Sequence, residues 1–146
     1  MKFLADVNVV FPLLVSRHQQ RDGALEWFDS TQAGDVVLCR LTRLGTLRLL
    51  CTPQVMGPDV LQPATAVEAL EILEADERVV LLHEPDGLDA TLKTLVAACA
   101  TTPNLWTDAY LAAFAMVVGL KLVSFDRGFS KFLGLDFLPM PSTATR

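Results

Sequence analysis

Residues Leu105 to Arg127 read LWTDAYLAAFAMVVGLKLVSFDR and place a helix, a strand and two aspartates within twenty-three residues. Apolar side chains fill nearly every position from Ala109 to Val118, a pattern that only a buried helix tolerates. Thr107 is expected to cap that helix and Gly119 to end it. Lys121 to Phe125 (KLVSF) then reads as a short strand that delivers the chain to Asp126, in a polar turn with Arg127 and Gly128. Asp108 opens the helix; Asp126 leaves the strand.

Neither acid says much alone. A carboxylate near a helix N-terminus is favoured by the helix dipole, and aspartate is a common turn residue. The start of the chain changes their weight, because Lys2 to Val7 (KFLADV) fits a buried strand and ends in a second strand-to-acid junction, Asp6 followed by Asn8. In open α/β sheets, ligands sit outside the carboxyl ends of the strands, near the point where strand order reverses. If the strands bearing Asp6 and Asp126 are neighbours, and the Asp108 helix starts at the same edge, three carboxylates converge there. Like charges gathered in this way call for a cation, and an all-oxygen ligand set favours a hard ion such as Mg²⁺ or Mn²⁺.

The blocks LADVNV, TDAYLAAFA and VSFDRGF resemble the best-marked segments of PIN-domain ribonucleases, specifically the VapC toxins of prokaryotic toxin–antitoxin pairs. HQQRDGALEWF is similar to the histidine-bearing helix entry of that group, and LGTLRLLCTPQVMG to its second block. In order and spacing the likeness covers almost the whole chain. The resemblance implies metal-dependent hydrolysis of single-stranded RNA, with Asp6, Asp108 and Asp126 as the catalytic and metal-holding residues. It implies Mg²⁺, with Mn²⁺ able to substitute, and a small antitoxin protein that covers the groove. Asn8, Arg43, Asn104 and Thr107 are the further residues expected near the substrate.

One block departs from the family pattern. VapC-like proteins carry an acidic residue, usually Glu, near the start of the second block's helix, where this chain reads LTRLG with Arg43 at or beside the place. Such an exchange makes the site more positive by two charges and puts a two-metal mechanism in doubt. Glu84, at the end of the apolar run VVLL, is the substitute ligand to consider. Arg43, with Arg40 one turn away, is either a phosphate contact or part of an exposed helix face.

The 146 residues suffice for one domain, expected over 1–141 with a flexible tail at 142–146. The hydrophobic content of 51% and mean hydropathy of +0.38 suggest apolar surface shared with a partner, and a homodimer is expected beside the antitoxin. A net charge of -5 opposes a broad basic footprint for duplex DNA or an anionic membrane. Cys39, Cys51 and Cys99 lack metal or redox spacing and read as buried thiols. The apolar run Leu111–Leu120 is too short to span a membrane, and Asp6 and Asn8 break any leader, so a cytoplasmic protein is expected.

Between these landmarks, Val9–Val15 is expected to be helical with Pro12 in a first turn, SRHQQRD a polar loop holding His18, and Asp22–Thr31 a helix. Asp35–Cys39 and Val79–Leu82 read as strands. Arg40–Cys51 reads as a helix with Leu41, Leu44, Leu47 and Leu50 at three-residue intervals, and Cys51–Gln62 as a Pro/Gly loop. Thr65 and Glu68 form a capping box for a helix to Glu74, with Glu68, Glu71 and Glu74 on one solvated face. Asp86–Ala100 is helical, and LDFL is a small edge strand. The order predicts a three-layer α/β domain with a short parallel sheet of four or five strands flanked by helices, similar to the PIN fold. Two other readings stand: a catalytically weak PIN domain that binds RNA or protein without cutting, and a response-regulator-like or phosphatase-like domain in which one aspartate accepts a phosphoryl group. The latter explains Asp6 poorly.

Overall fold

A computed structural model describes residues 1–142; of the tail expected at 142–146, residues 143–146 lie outside the described residues. Five strands, β1 (Phe3–Ala5), β2 (Val36–Leu38), β3 (Val79–Leu81), β4 (Lys121–Ser124) and β5 (Phe137–Pro139), form one parallel sheet in the order β3-β2-β1-β4-β5. Strand order reverses at β1, which pairs with β2 on one side and β4 on the other. The register sets Ala5 opposite Val123, so the next residues along, Asp6 and Ser124, emerge together at the carboxyl edge.

Helices cover both faces, which is why the strands are apolar runs instead of alternating ones. Seven α-helices are described: α1 (Val7–Leu14), α2 (Arg21–Asp29), α3 (Arg40–Leu50), α4 (Pro53–Met56), α5 (Pro63–Glu74), α6 (Leu88–Ala97) and α7 (Leu105–Val118). Leu4, Val37 and Leu122 point to one face and pack against α6 and α7. Their neighbours Phe3, Ala5, Val36, Leu38 and Val123 point to the other, where Trp27 and Phe28 of α2, Val9 and Val10 of α1 and Leu73 of α5 meet them. From Leu111 to Ala115 every side chain of α7 is buried, as its unbroken apolar run implies. Gly119 ends the helix in the left-handed region, at φ 82°.

Several local expectations change. Helix α1 begins at Val7 because Asp6 caps it, so Pro12 is its sixth residue and lies inside the helix. The expected Pro/Gly loop contains α4 and a 3-10 turn at Gly57–Asp59. Helix α5 starts at Pro63, with proline in its first turn and no side-chain cap, which puts Thr65 inside the helix and removes the expected capping box. Helix α7 starts two residues before Thr107, whose hydroxyl turns back to donate to the Asn104 carbonyl at 3.1 Å, so Thr107 is not its cap. Of the expected leucines of α3 only Leu50 is fully buried, beside Thr42 and Thr46; Leu41 and Leu47 are half-buried and Leu44 is 54% exposed. Of the expected acidic row, Glu68 and Glu71 are exposed, while Glu74 is drawn inward by Arg43. Cys39 is buried and Cys51 and Cys99 are half-buried, all three as free thiols.

Candidate active site

The carboxyl edge of β1 and β4 builds the site from a small hydrogen-bond network. Asp6 caps α1 by accepting from the Val7 N–H at 2.7 Å, and its other carboxylate oxygen accepts from Ser124 Oγ at 2.7 Å. Ser124 ends β4 and is wholly buried. Its oxygen accepts in turn from Asn8 Nδ2 at 3.0 Å and from the Asp126 N–H at 2.9 Å. Asn8 Oδ1 accepts from the Phe125 N–H at 3.1 Å, so the first turn of α1 is tied to the end of β4 through one asparagine and one serine. Ser124 is the member of this network that the sequence did not single out; its signal is a lone hydroxyl at the last position of an apolar strand.

The third element arrives through α3. Thr42, fully buried, donates from Oγ1 to the Ala5 carbonyl at 2.9 Å, which pins α3 beside the residue preceding Asp6. A cleft of about 360 Å³ opens between α1, α3 and α7, lined by Asp6, Asp108 and Thr107 together with apolar side chains and Arg48. Asp108 reaches it from the first turn of α7.

Burial and mutual repulsion both act on these acids. The Asp6 carboxyl is raised above the ordinary carboxylate range chiefly by burial; the Ser124 hydroxyl and the Val7 N–H oppose the rise, and Asp126 adds to it. The Asp108 carboxyl is pushed up to about 6, first by burial and then by Asp6 and Asp126, with Lys131 pulling the other way. Asp6 and Asp108 therefore each lie in a field set partly by neighbouring acids. Asp126 stands at the rim, where one of its oxygens accepts from the Gly128 N–H at 2.8 Å and opens the 3-10 turn Arg127–Lys131.

Among the described residues no three His, Cys, Asp or Glu side chains are close enough to form a ready-made ligand cage. The donor chemistry nevertheless fits a hard divalent ion, which takes one or two carboxylates and completes its shell with water or phosphate. Asp6 and Asp108, facing one cleft, are the two that would hold it, with Asp126 within reach of their field.

The other expected residues separate. Asn8 belongs to the network around Asp6, and Thr107 lines the cleft. Asn104 is exposed at the start of α7 and is not part of the cleft wall. Arg43 lies on another side of α3, where its guanidinium pairs with Glu74 at 2.5 Å. Glu84 lines a different depression with Arg40 and Arg43 and accepts from the Tyr110 hydroxyl at 3.2 Å. His18 accepts from the Gln20 N–H at 2.9 Å and meets Phe11 edge-on, in a separate pocket.

The sequence and the fold have relatives among known proteins. A PIN domain family model matches residues 3–134. Ribonuclease VapC41 of Mycobacterium tuberculosis is 36% identical over 138 residues, covering 91% of this chain and 94% of that one. Among solved structures, DNA-bound VapBC from Salmonella typhimurium matches with a TM-score of 0.70 at 15% identity, over 95% of this chain and 98% of that one. Mycobacterium tuberculosis VapC20, described as a sarcin-ricin loop cleaving toxin, matches with a TM-score of 0.66 at 17% identity, over 92% of this chain and 98% of its own. A sheet that brings Asp6 and Ser124 to one edge, a buried α7 that carries Asp108 to the same cleft, and a family match across nearly the whole sequence agree: the chain belongs to the PIN-domain family.

Proposed function

We propose that this protein is a metal-dependent endoribonuclease that cleaves single-stranded RNA, the toxin half of a VapBC-type pair acting in the cytoplasm. The observation that carries the reading is the shared cleft of Asp6 and Asp108, two partly desolvated carboxylates that repel one another and gain most from a bound cation. Asp6 and Asp108 would hold Mg²⁺ or Mn²⁺ directly, with Asp126 acting on the site through its charge or a bound water, and the ribonuclease name of the relative at 36% identity agrees with that chemistry. Bound there, the ion supplies Lewis-acid polarisation of a phosphoryl oxygen and a water of lowered pKa. Ser124 and Asn8 keep the Asp6 carboxylate from rotating away, and Lys131 adds positive charge beside Asp108. A small antitoxin partner fits the kinship with VapBC complexes, and a homodimer fits the apolar composition.

A second reading, binding without cutting, is favoured by one observation. The face of α3 turned to the cleft (Leu41, Leu44, Gly45 and Arg48) carries no carboxylate. The Arg43 charge, by contrast, is neutralised by Glu74 outside the cleft, so the site is one acid short and not two charges more positive. One experiment separates the readings: incubation of mixed single-stranded RNA with the purified chain in Mg²⁺, Mn²⁺ or chelator, alongside Asp108→Asn. Metal-dependent cutting that vanishes in the variant supports the nuclease. RNA retention without cutting supports the binding module.

A further inference from the structure

The cleft has two unlike halves. One is acidic, around Asp6 and Asp108; the other is apolar, formed by Leu41 and Leu44 of α3, Leu111 of α7 and Val7 of α1, and it ends at Arg48. Leu41, Leu44, Gly45 and Arg48 fall at i, i+3, i+4 and i+7, a single stripe about 10 Å long at 1.5 Å rise per residue. Gly45, between them, lets Val7 of α1 close against the stripe.

Among the described residues Arg48 is the unpaired arginine that faces this cleft; Arg40, also exposed and unpaired on the same helix, lines the separate depression with Glu84. Arg17 pairs with Asp59, Arg43 with Glu74, and Arg21 donates to the carbonyls of Pro12 and Leu13. The Arg48 guanidinium is exposed and has no hydrogen bond or ion pair among the described residues. Thr42 holds the start of α3 beside Ala5, next to Asp6, and Arg48 lies six residues further along the same helix, about 9 Å at 1.5 Å rise per residue. A free guanidinium at one end of an apolar trough, with carboxylates at the other end, matches a nucleotide: the base lies against the leucines and the phosphate takes the bidentate fork.

We propose that Arg48 and the leucine stripe of α3 form a subsite for the nucleotide flanking the cleavage point, with Arg48 as a phosphate anchor and Leu44 as a base contact. This rests on the RNA-directed reading given above. A protein segment with a carboxylate and an apolar side chain is the competing occupant; the phosphate chemistry of the neighbouring site favours RNA.

The test measures binding of a mixed-sequence single-stranded RNA by fluorescence anisotropy between about 50 and 200 mM salt, in an Asp108→Asn background that prevents cutting. Arg48→Gln is expected to weaken binding and to flatten the slope of log affinity against log salt by about 0.7, the loss of one phosphate contact on a single strand. Leu44→Ala is expected to weaken binding about fivefold with the slope unchanged, as lost apolar contact does. Lys2→Gln, which removes a charge at the opposite edge of the sheet, should do neither. Arg48 lies in the last turn of α3, where a cation also favours the helix dipole, but that role leaves the salt slope untouched. If Arg48→Gln behaves as Lys2→Gln while RNA still binds, the subsite is overturned and the trough belongs to a protein partner. If the Asp108→Asn chain binds no RNA and the unaltered chain cuts none, the nuclease reading fails and the subsite with it.

Discussion

Ser124 Oγ, wholly buried, donates to Asp6 Oδ2 at 2.7 Å across 118 residues of chain. The same oxygen accepts from Asn8 and from the Asp126 N–H, so one hydroxyl orients two of the three acids at once. Ser124→Ala removes that oxygen and leaves the Asp126 N–H and Asn8 Nδ2 without their partner. The expected cost is about 1–3 kcal/mol, the penalty for stranding buried polar groups, and urea unfolding measures it. The Asp6 carboxyl should rise further, since the hydroxyl is what chiefly opposes its shift. An NMR titration in which Asp6 stays put would show that the serine only fills space.

The acids also dictate a pH dependence in the metal-free protein. Asp108 titrates at about 6 in the folded chain and near 3.9 when unfolded, so between these values the native state holds a proton that the unfolded chain has released. Folding stability contributed by this group therefore falls as pH rises from about 4 to about 6, and is flat above. Asp6 shifts in the same direction. The difference in unfolding free energy between the unaltered chain and Asp108→Asn isolates the effect. In chelator, the asparagine variant should be the more stable at pH 7; in excess Mg²⁺ the order should reverse. A variant less stable at pH 7 in chelator would make Asp108 a structural acid.

The sheet and two of its acids were legible because their signals are local. Apolar runs ending in Asp6 and Asp126 mark buried strands and their exits, and the unbroken apolar stretch of α7 permits no other environment. Even β5 could be read, from LDFL set between a turn and a proline. Helix α3 misled for the opposite reason. Its leucines repeat every three residues, yet Thr42 and Thr46 occupy the buried side because their hydroxyls find the Ala5 and Thr42 carbonyls at 2.9 and 2.8 Å. The Thr42 bond to β1 and the Thr46 bond back along its own helix satisfy hydroxyls that a hydrophobic pattern counts as polar and places outside. The Arg43–Glu74 pair, 31 residues apart, is equally silent in sequence, as is the Ser124–Asp6 bond.

That ion pair makes its own prediction. The side chains of Arg43 and Glu74 are 23% and 11% exposed, so Arg43→Ala strands a largely buried carboxylate. A loss of about 1–3 kcal/mol is expected, below the full cost of breaking a fully buried pair because solvent screens part of the charge. Arg43→Ala combined with Glu74→Ala should recover part of the loss, and the double-mutant cycle measures the coupling. Mg²⁺ affinity, followed by isothermal titration calorimetry, should be unchanged in Arg43→Ala. A clear rise would mean that the guanidinium reaches the acids.

Gly45 sets how closely α1 and α3 approach. A Cβ added there would meet Val7 Cγ2 at 2.6 Å, too close for any real contact. Alanine normally favours a helix over glycine by about 1 kcal/mol, so a free helical surface would gain from Gly45→Ala. Here Val7 is β-branched with few rotamers to yield, and it directly follows Asp6, so relief must come from moving the helices that flank the cleft. Overpacking should turn the expected gain into a loss of about 1–3 kcal/mol and lower cleavage through displacement of Asp6. Val7→Ala in the same chain removes the clashing methyls and should restore much of both. A thermal unfolding midpoint that rises in Gly45→Ala alone would show that α1 and α3 are free to part, and that the narrow cleft does not depend on their contact.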